Sequence, residues 1–127
     1  MANLPYRGKD LIWLGNTLET VSNFPVAAKR SIGFGLRLVQ NGQTPDFAVP
    51  LPELGSGLFE LKVDSGKDTF RLVYLAKLPP GIFVLHALMK KSKTGRALPN
   101  EIRRTILARF RTALEVSRSF SRERNEK

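Results

Sequence analysis

Six cationic or titratable side chains are spaced along this 127-residue chain in a way that suits phosphate chemistry. One lysine and one arginine lie on two successive stretches of alternating apolar residues. A histidine and three lysines lie towards and just past the end of the next apolar stretch. Together they offer several N–H donors and positive charges to a single phosphate. The candidates are, in chain order, Lys62, Arg71, His86, Lys90, Lys91 and Lys93.

Each candidate also fits a simpler structural interpretation, which is the commoner one for any single residue. In that interpretation Arg71 pairs with Glu60 across the strands. His86 is then a half-buried, hydrogen-bonded ring, and the basic run at 90–93 is a solvated loop. The functional hypothesis therefore depends on the whole group meeting at one end or face of a sheet.

Other familiar kinds of catalytic site lack their residues in this sequence. The chain has no cysteine and one histidine, which excludes thiol catalysis and predicts neither a metal site nor a cofactor. No Gly-x-Ser-x-Gly motif accompanies His86, so a serine triad is not expected. The glycines at 33–35 and 55–57 lack the further residues of a nucleotide-binding loop. Glu60 has no carboxylate partner at strand spacing for paired acid–base work.

The net charge of the chain is +10, and it is concentrated towards the C-terminus. Residues 1–89 carry nine basic and seven acidic side chains, whereas residues 90–127 carry twelve basic and four acidic ones. A uniform surface charge would not concentrate in this way. The asymmetry favours a basic face or tail that meets an anionic partner such as nucleic acid.

Three apolar stretches predict an antiparallel meander of strands. They cover 59–63, 69–76 and 82–89, and the last is almost continuously apolar, which is typical of a central strand. In the second stretch Phe70 and its alternate residues point to one face, and Arg71 and its alternates point to the other. Lys62 and Arg71 are thereby placed on adjacent strands.

Other segments predict an α+β fold around this meander. A short strand at 11–14, added at one edge of the sheet, and two helices at 17–22 and 26–40 precede it. Three prolines predict irregular structure from 45 to 55. A C-terminal helix starts near 98 and packs by an apolar stripe. A single domain is predicted over residues 1–116, followed by a basic tail at 117–127 that is predicted to be frayed or disordered.

Targeting and membrane signals are not predicted. The longest apolar stretch without a charge, 78–89, is shorter than the roughly 18 residues of a spanning helix. The N-terminal residues mix charges with no apolar core of a signal peptide. The prediction is a cytoplasmic protein without a membrane partner.

Six segments together resemble the phage-derived HigB-like toxins of the RelE superfamily, which belong to type II toxin–antitoxin systems. The resemblance covers about residues 10–115, and its most specific parts are the Glu-Leu-Lys, Arg-Leu-Val-Tyr and His-Ala-x-x-Lys-Lys segments. The six are Trp13-Leu14-Gly15, Phe24-Pro25, Gln40-Asn41-Gly42, Leu58-Phe59-Glu60-Leu61, Phe70-Arg71-Leu72-Val73-Tyr74 and the run from Val84 to Lys93.

The resemblance implies a compact α+β fold, metal-independent cleavage of mRNA, often on the ribosome, and neutralisation by a cognate helix-turn-helix antitoxin in a hetero-oligomer. Carried over by segment, the catalytic residues are Arg71, Lys90 and Lys91. Lys62, His86 and Lys93 are then RNA-binding residues. No metal or other cofactor is implied.

Metal-free RNA cleavage explains why such a site needs few carboxylates, since the ribose 2′-hydroxyl attacks the adjacent phosphorus. The protein must align the chain, stabilise negative charge and move two protons. Arg71 is expected to hold the phosphate and the lysines to stabilise the transition state, with His86 or a crowded lysine exchanging protons. Arg71→Ala is expected to abolish cleavage while leaving the fold intact.

Two alternatives belong to other classes of protein. A non-catalytic nucleic-acid-binding protein would use the arginine-rich C-terminal helix and would bind in a salt-dependent way without cleavage products. An interaction module would present its basic face to an acidic protein and show no affinity for RNA.

Overall fold

The computed structural model describes residues 8–90 and 98–125, and it is an α+β structure with one five-stranded sheet. The order of strands across the sheet is β1-β5-β4-β3-β2. The predicted fold class is confirmed. The elements are β1 (Asp10–Trp13), α1 (Thr17–Ser22), α2 (Val26–Gln40), β2 (Ala48–Pro50), β3 (Leu58–Ser65), β4 (Asp68–Leu75), β5 (Gly81–Lys90) and α3 (Asn100–Asn125).

Strands β3, β4 and β5 form the predicted antiparallel meander. The N-terminal strand β1 is added at one edge, as predicted, and runs parallel to β5. The register of β4 and β5 shifts between Val73, which pairs with His86, and Tyr74, which pairs with Val84. Leu85 is therefore an extra residue in β5, and such a bulge changes the direction of the side chains beside it.

Helices α1 and α2 cover one face of the sheet with an apolar core. Ile32 and Leu36 of α2 pack in one cluster with Phe70, Leu72 and Tyr74 of β4. The predicted alternation of β4 is confirmed, because the other face of this strand contributes Val73 and Leu75 to a second cluster. Each face of the sheet therefore has its own core.

Helix α3 covers part of the opposite face, and it is longer than predicted. Ile106 and Ala113 are fully buried against the second cluster, with Phe110 beside them. The prediction of a frayed or disordered tail from residue 117 is wrong for 117–125, which continue the helix. Ser117 is buried one turn after Ala113, and Phe120 lines grooves with Pro79 and Pro80.

The prediction of irregular structure between 45 and 55 is also partly wrong. Ala48–Pro50 forms the edge strand β2, which pairs with β3 through Ala48 opposite Leu61 and Pro50 opposite Phe59. An edge strand needs ladder hydrogen bonds on one side only, so it tolerates a proline. The strand is three residues long because proline limits its extension.

One further feature concerns membranes. Within the part of the chain that the structure describes, no helix combines the length and the apolar character needed to cross a bilayer.

Candidate functional site

The predicted cations that the structure describes lie on the α3 side of the sheet. Lys62 of β3 lies directly opposite Arg71 of β4, and Arg71 lies opposite Leu88 of β5. Lys90 occupies the next row on β5, opposite Thr69. Residues that pair directly across strands share a face. The structure thus brings Lys62, Arg71 and Lys90 together in two neighbouring rows of one face.

His86 lies on the same face, between these cations and the apolar core. It pairs with Val73, which belongs to the core under α3, and its ring is half-buried. We call Lys62, Arg71, His86 and Lys90 the basic face. Lys91 and Lys93 lie outside the described residues, so their predicted roles stay predictions.

Arg71 forms an ion pair inside the protein. Its Nη1 lies 3.6 Å from Oε2 of Glu60, and each residue is only 4% exposed. The simpler interpretation of Arg71, a pair with Glu60 across the strands, is therefore confirmed by the geometry. It also alters the expectation for Arg71→Ala, because this variant would leave a buried carboxylate without its ion pair.

Glu60 is the centre of the charges on this face. Burial raises the pKa of its carboxyl above the ordinary value of 4.5, and Glu53 adds to this effect more weakly. Arg71, then Lys62 and more weakly Lys90 act in the opposite direction on the pKa of Glu60. Three predicted site residues thus lie within electrostatic range of the Glu60 carboxylate. The sequence does not indicate a catalytic role for Glu60, because no second carboxylate lies at strand spacing from it.

A second cluster surrounds His86 and includes a residue that the sequence did not single out. Arg109 of α3 donates from Nη1 to the backbone oxygen of Leu85 at 2.9 Å, and the same Nη1 lies 3.3 Å from Nδ1 of His86. Its Nη2 donates to Oδ1 of Asn16 at 3.4 Å. Burial, and then the charge of Arg109, lower the pKa of His86 from its ordinary 6.5.

The approach of Arg109 depends on a glycine. Gly15 has a φ of +60°, and a Cβ at this position would overlap the guanidinium of Arg109. Asn16 occupies the cap position before α1, but its side chain makes no capping hydrogen bond. The sequence does not indicate this cluster, because Arg109 lies 93 residues away from Asn16 along the chain.

The arrangement is suited to an anionic ligand rather than to a cation. Lys62 is exposed, and His86 and Lys90 are half-buried, so these three present N–H groups or charge at the surface. Arg71 adds charge beneath them, held by Glu60. Across residues 8–90 and 98–125 no three histidine, aspartate or glutamate side chains are grouped as metal ligands would be.

The profile of one protein family matches residues 19–111, which run from α1 to the middle of α3. That family is described as Phage derived protein Gp49-like (DUF891). The chain belongs to the Gp49-like family. This is a RelE-like toxin family of toxin–antitoxin systems, which agrees with the resemblance at the level of the superfamily. No curated protein and no solved structure matches the chain.

The Gp49-like region contains the basic face, Glu60 and Arg109. Gly15 and Asn16 precede it, and residues 112–125 of α3, nearly four helical turns, follow it. The charges gathered around Glu60 therefore lie within the part of the chain that is common to the Gp49-like family.

Proposed function

We propose that this Gp49-like protein is a HigB-like toxin that cleaves mRNA without a metal ion and so inhibits translation. The observation that supports the proposal most directly is the gathering of Lys62, Arg71 and Lys90 around buried Glu60, with His86 on the same face. Cleavage by an internal ribose hydroxyl needs such groups: donors for the phosphate and a proton acceptor.

The reaction forms a bond from the 2′-oxygen to phosphorus and breaks the bond from phosphorus to the 5′-oxygen. The products are a 2′,3′-cyclic phosphate and a 5′-hydroxyl, so one proton leaves the nucleophile and one reaches the leaving oxygen. Lys90, with Lys91, stabilises the phosphoryl oxygens and supplies the second proton. Lys62 binds the neighbouring backbone, and Arg71 contributes its fixed charge.

Glu60 is the acceptor of the first proton in this proposal. A carboxylate whose pKa is raised by burial is a stronger base than an exposed one. The ion pair with Arg71 holds the acceptor beneath the surface cations, so a phosphate that binds Lys62 and Lys90 has its ribose on the face of the sheet that carries Glu60. Positioned general bases of this kind contribute roughly 10²- to 10⁴-fold to a rate.

The test uses the purified full chain with a short RNA in excess chelator. Cleavage with a 2′,3′-cyclic phosphate end is expected, and a 2′-deoxy substitution at the cut position is expected to abolish it. Glu60→Gln keeps the size of the side chain and is expected to slow cleavage at least 100-fold. Cleavage that survives the deoxy substitution would overturn attack by the 2′-hydroxyl, and a Glu60→Gln variant that cleaves at the wild-type rate would overturn Glu60 as the base.

A matched pair of lysine variants tests whether the basic face binds the RNA. Lys62→Gln removes a charge from the basic face, whereas Lys29→Gln removes one from α2 on the other side of the sheet. Both residues are exposed. Weaker RNA binding is expected for Lys62→Gln alone, and an equal loss in both variants would show that only total charge matters.

The proposed partners are mRNA on the ribosome and a cognate helix-turn-helix antitoxin, with which the toxin forms a hetero-oligomer in the cytoplasm. Inducing the protein alone in cells and mapping the 5′ ends of mRNA tests the first partner. Codon-spaced cuts within translated regions are expected. Co-expression of a helix-turn-helix protein encoded beside the toxin gene is expected to restore growth, and failure of such a protein to bind the toxin would contradict the second partner.

A specific observation favours one other function, non-catalytic binding of nucleic acid by α3. Four exposed arginines, none of them in a described ion pair, lie on the side of α3 away from the sheet. With 3.6 residues per turn they fall within an arc of ~40° and span ~27 Å. We call them the arginine stripe: Arg104, Arg111, Arg118 and Arg122. A stripe of charge without an apolar centre suits phosphates better than a stable protein interface.

Binding to a 2′-O-methyl RNA, which lacks the nucleophile, separates the two functions. The triple variant Arg104→Gln, Arg111→Gln, Arg118→Gln is compared with Lys29→Gln, Arg30→Gln, Lys67→Gln, which removes the same charge elsewhere. If the stripe binds RNA, only the first variant weakens binding. The slope of the logarithm of the binding constant against the logarithm of the salt concentration then becomes shallower by about 2, because each lost phosphate contact changes it by ~0.7. RNA binding by the stripe without cleavage of ordinary RNA would favour this second function.

A protein that binds no RNA but binds an acidic protein tightly would instead be an interaction module.

A further inference from the structure

Arg109 is directed towards the sheet, unlike the exposed arginines of α3. It lies between Ile106 and Ala113, the two residues of α3 that are fully buried, whereas Arg104 and Arg111 are exposed. Its guanidinium contacts three groups from two other segments: the backbone oxygen of Leu85, Nδ1 of His86 and Oδ1 of Asn16. An arginine held by three acceptors occupies one orientation, since its planar fork fixes the direction of each N–H.

The contact between Arg109 and His86 decides which ring nitrogen carries a proton. A guanidinium has only N–H donors and does not lose its proton in proteins. Nδ1 of His86 must therefore accept, which places the lone pair on Nδ1 and the proton of the neutral ring on Nε2. A ring in this form donates from Nε2 and has no free lone pair with which to remove a proton.

We propose that Arg109 is a positioning residue that holds His86 as the neutral Nε2–H tautomer, so that His86 meets the RNA phosphate as a hydrogen-bond donor and not as a base. The inference deepens the proposed ribonuclease function and rests on it for the identity of the ligand. The tautomer itself follows from the contacts of Arg109 alone. It agrees with the assignment of proton acceptance to Glu60.

The surroundings of His86 keep this geometry rigid. The hydrogen bond to Leu85 fixes Nη1 at the bulge of β5, next to the ring that it contacts. Gly15 leaves room for the guanidinium where any side chain would displace it. The charged groups that face His86 are Arg109 from α3 and, beyond Val73 in the same row of the sheet, Glu60, two strand spacings or ~10 Å away.

The chain contains one histidine, so nitrogen NMR of the imidazole tests the tautomer without any assignment problem. In the full chain labelled with ¹⁵N-histidine, at neutral pH, Nε2 is expected to carry the proton and Nδ1 to behave as an acceptor. Arg109→Ala is expected to give a mixture of tautomers and a higher imidazole pKa. Arg111→Ala, which removes an exposed arginine from the same helix, is expected to leave the spectrum unchanged.

Two results would overturn the inference: a proton on Nδ1 in the wild-type protein, or an unchanged tautomer in folded Arg109→Ala. If Arg109→Ala does not fold, the wild-type spectrum still decides, and Asn16→Ala tests the anchor at Nη2 with a smaller expected change in tautomer ratio. None of these measurements uses RNA cleavage. Absence of cleavage would therefore overturn the proposed function while leaving the tautomer result standing.

A substitution at His86 tests the role of the donor in the reaction. Glutamine places an amide N–H near the position of Nε2, whereas alanine has no donor. His86→Gln is expected to retain cleavage within about tenfold of wild type, and His86→Ala is expected to lose considerably more than that. Equal losses in the two variants would show that His86 does not act as a donor.

Discussion

The two faces of β4 carry different kinds of residue, although they belong to one strand. The face under α1 and α2 presents Phe70, Leu72 and Tyr74 to an apolar cluster. The ring of Tyr74 stacks on Phe59 at 5.8 Å, and burial raises the pKa of its phenol to about 12, so this hydroxyl stays protonated. The opposite face presents Arg71 to Glu60. One face serves stability alone, whereas the other combines stability with charge.

The comparison shows how a small domain accommodates a buried charge. Removing Arg71 and Glu60 from water costs free energy that their attraction offsets only with good geometry. The apolar face gives the sheet the stability to tolerate this cost, and the charged face keeps a carboxylate with a raised pKa close to several cations. Variants that affect one face and not the other test this division.

The largest effect on stability is expected when one partner of the ion pair between Arg71 and Glu60 is removed. Arg71→Ala leaves Glu60 buried without its nearest cation and is expected to lower the free energy of unfolding by about 3–5 kcal/mol. The double variant Arg71→Met with Glu60→Gln removes both charges and is expected to recover most of that loss. Urea unfolding measures both variants. A double variant as unstable as the single one would show that packing, not charge, dominates at this position.

A somewhat smaller effect on stability is expected on the apolar face. Leu72 is 0% exposed, and Leu72→Ala is expected to lower the free energy of unfolding by about 3 kcal/mol through lost burial and a cavity. The rate of RNA cleavage per folded molecule should not change, because Leu72 points away from the basic face. A lower rate at full folding would show that the two faces are not independent.

Gly15→Ala is expected to have a moderate effect on stability and to disturb the contact of Arg109 of α3 with the sheet. The left-handed φ of +60° costs about 1–2 kcal/mol for a residue with a side chain. The new methyl group also displaces the guanidinium of Arg109, so the tautomer of His86 should shift as in Arg109→Ala. Urea unfolding and imidazole NMR measure the two consequences separately. A destabilised variant with an unchanged tautomer would show that Arg109 can reposition without releasing His86.

The sequence was sufficient for the meander and for the face of Arg71, because alternation of apolar residues directly sets which side a strand residue occupies. It predicted that Lys62 and Arg71 lie on adjacent strands for the same reason. It did not predict the contacts of Arg109, which join residues far apart in the chain and depend on a bulge and on the angle of α3. The importance of Glu60 was missed as well, since its pKa depends on burial and not on spacing.

The smallest expected effect is on the pH dependence of stability, where the two clusters act in opposite directions. The pKa of His86 is lowered from 6.5 in the folded state, so the unfolded state binds more protons just below pH 6.5. The stability that His86 contributes is complete above 6.5 and is lost as the pH falls through its folded pKa.

Glu60 has the opposite sign, because its pKa is raised from 4.5 on folding. Its contribution is complete below pH 4.5 and is lost as the pH rises through the folded pKa of Glu60. The two contributions therefore change with pH in opposite directions, upwards from pH 4.5 for Glu60 and downwards from pH 6.5 for His86, each by at most ~1.4 kcal/mol per pH unit. Urea unfolding over this window should show a more positive slope of stability against pH in Glu60→Gln, since only the His86 contribution remains, and a more negative slope in His86→Gln. Slopes that change in the same direction in both variants would contradict the opposite pKa shifts that burial gives an acid and a base on this face.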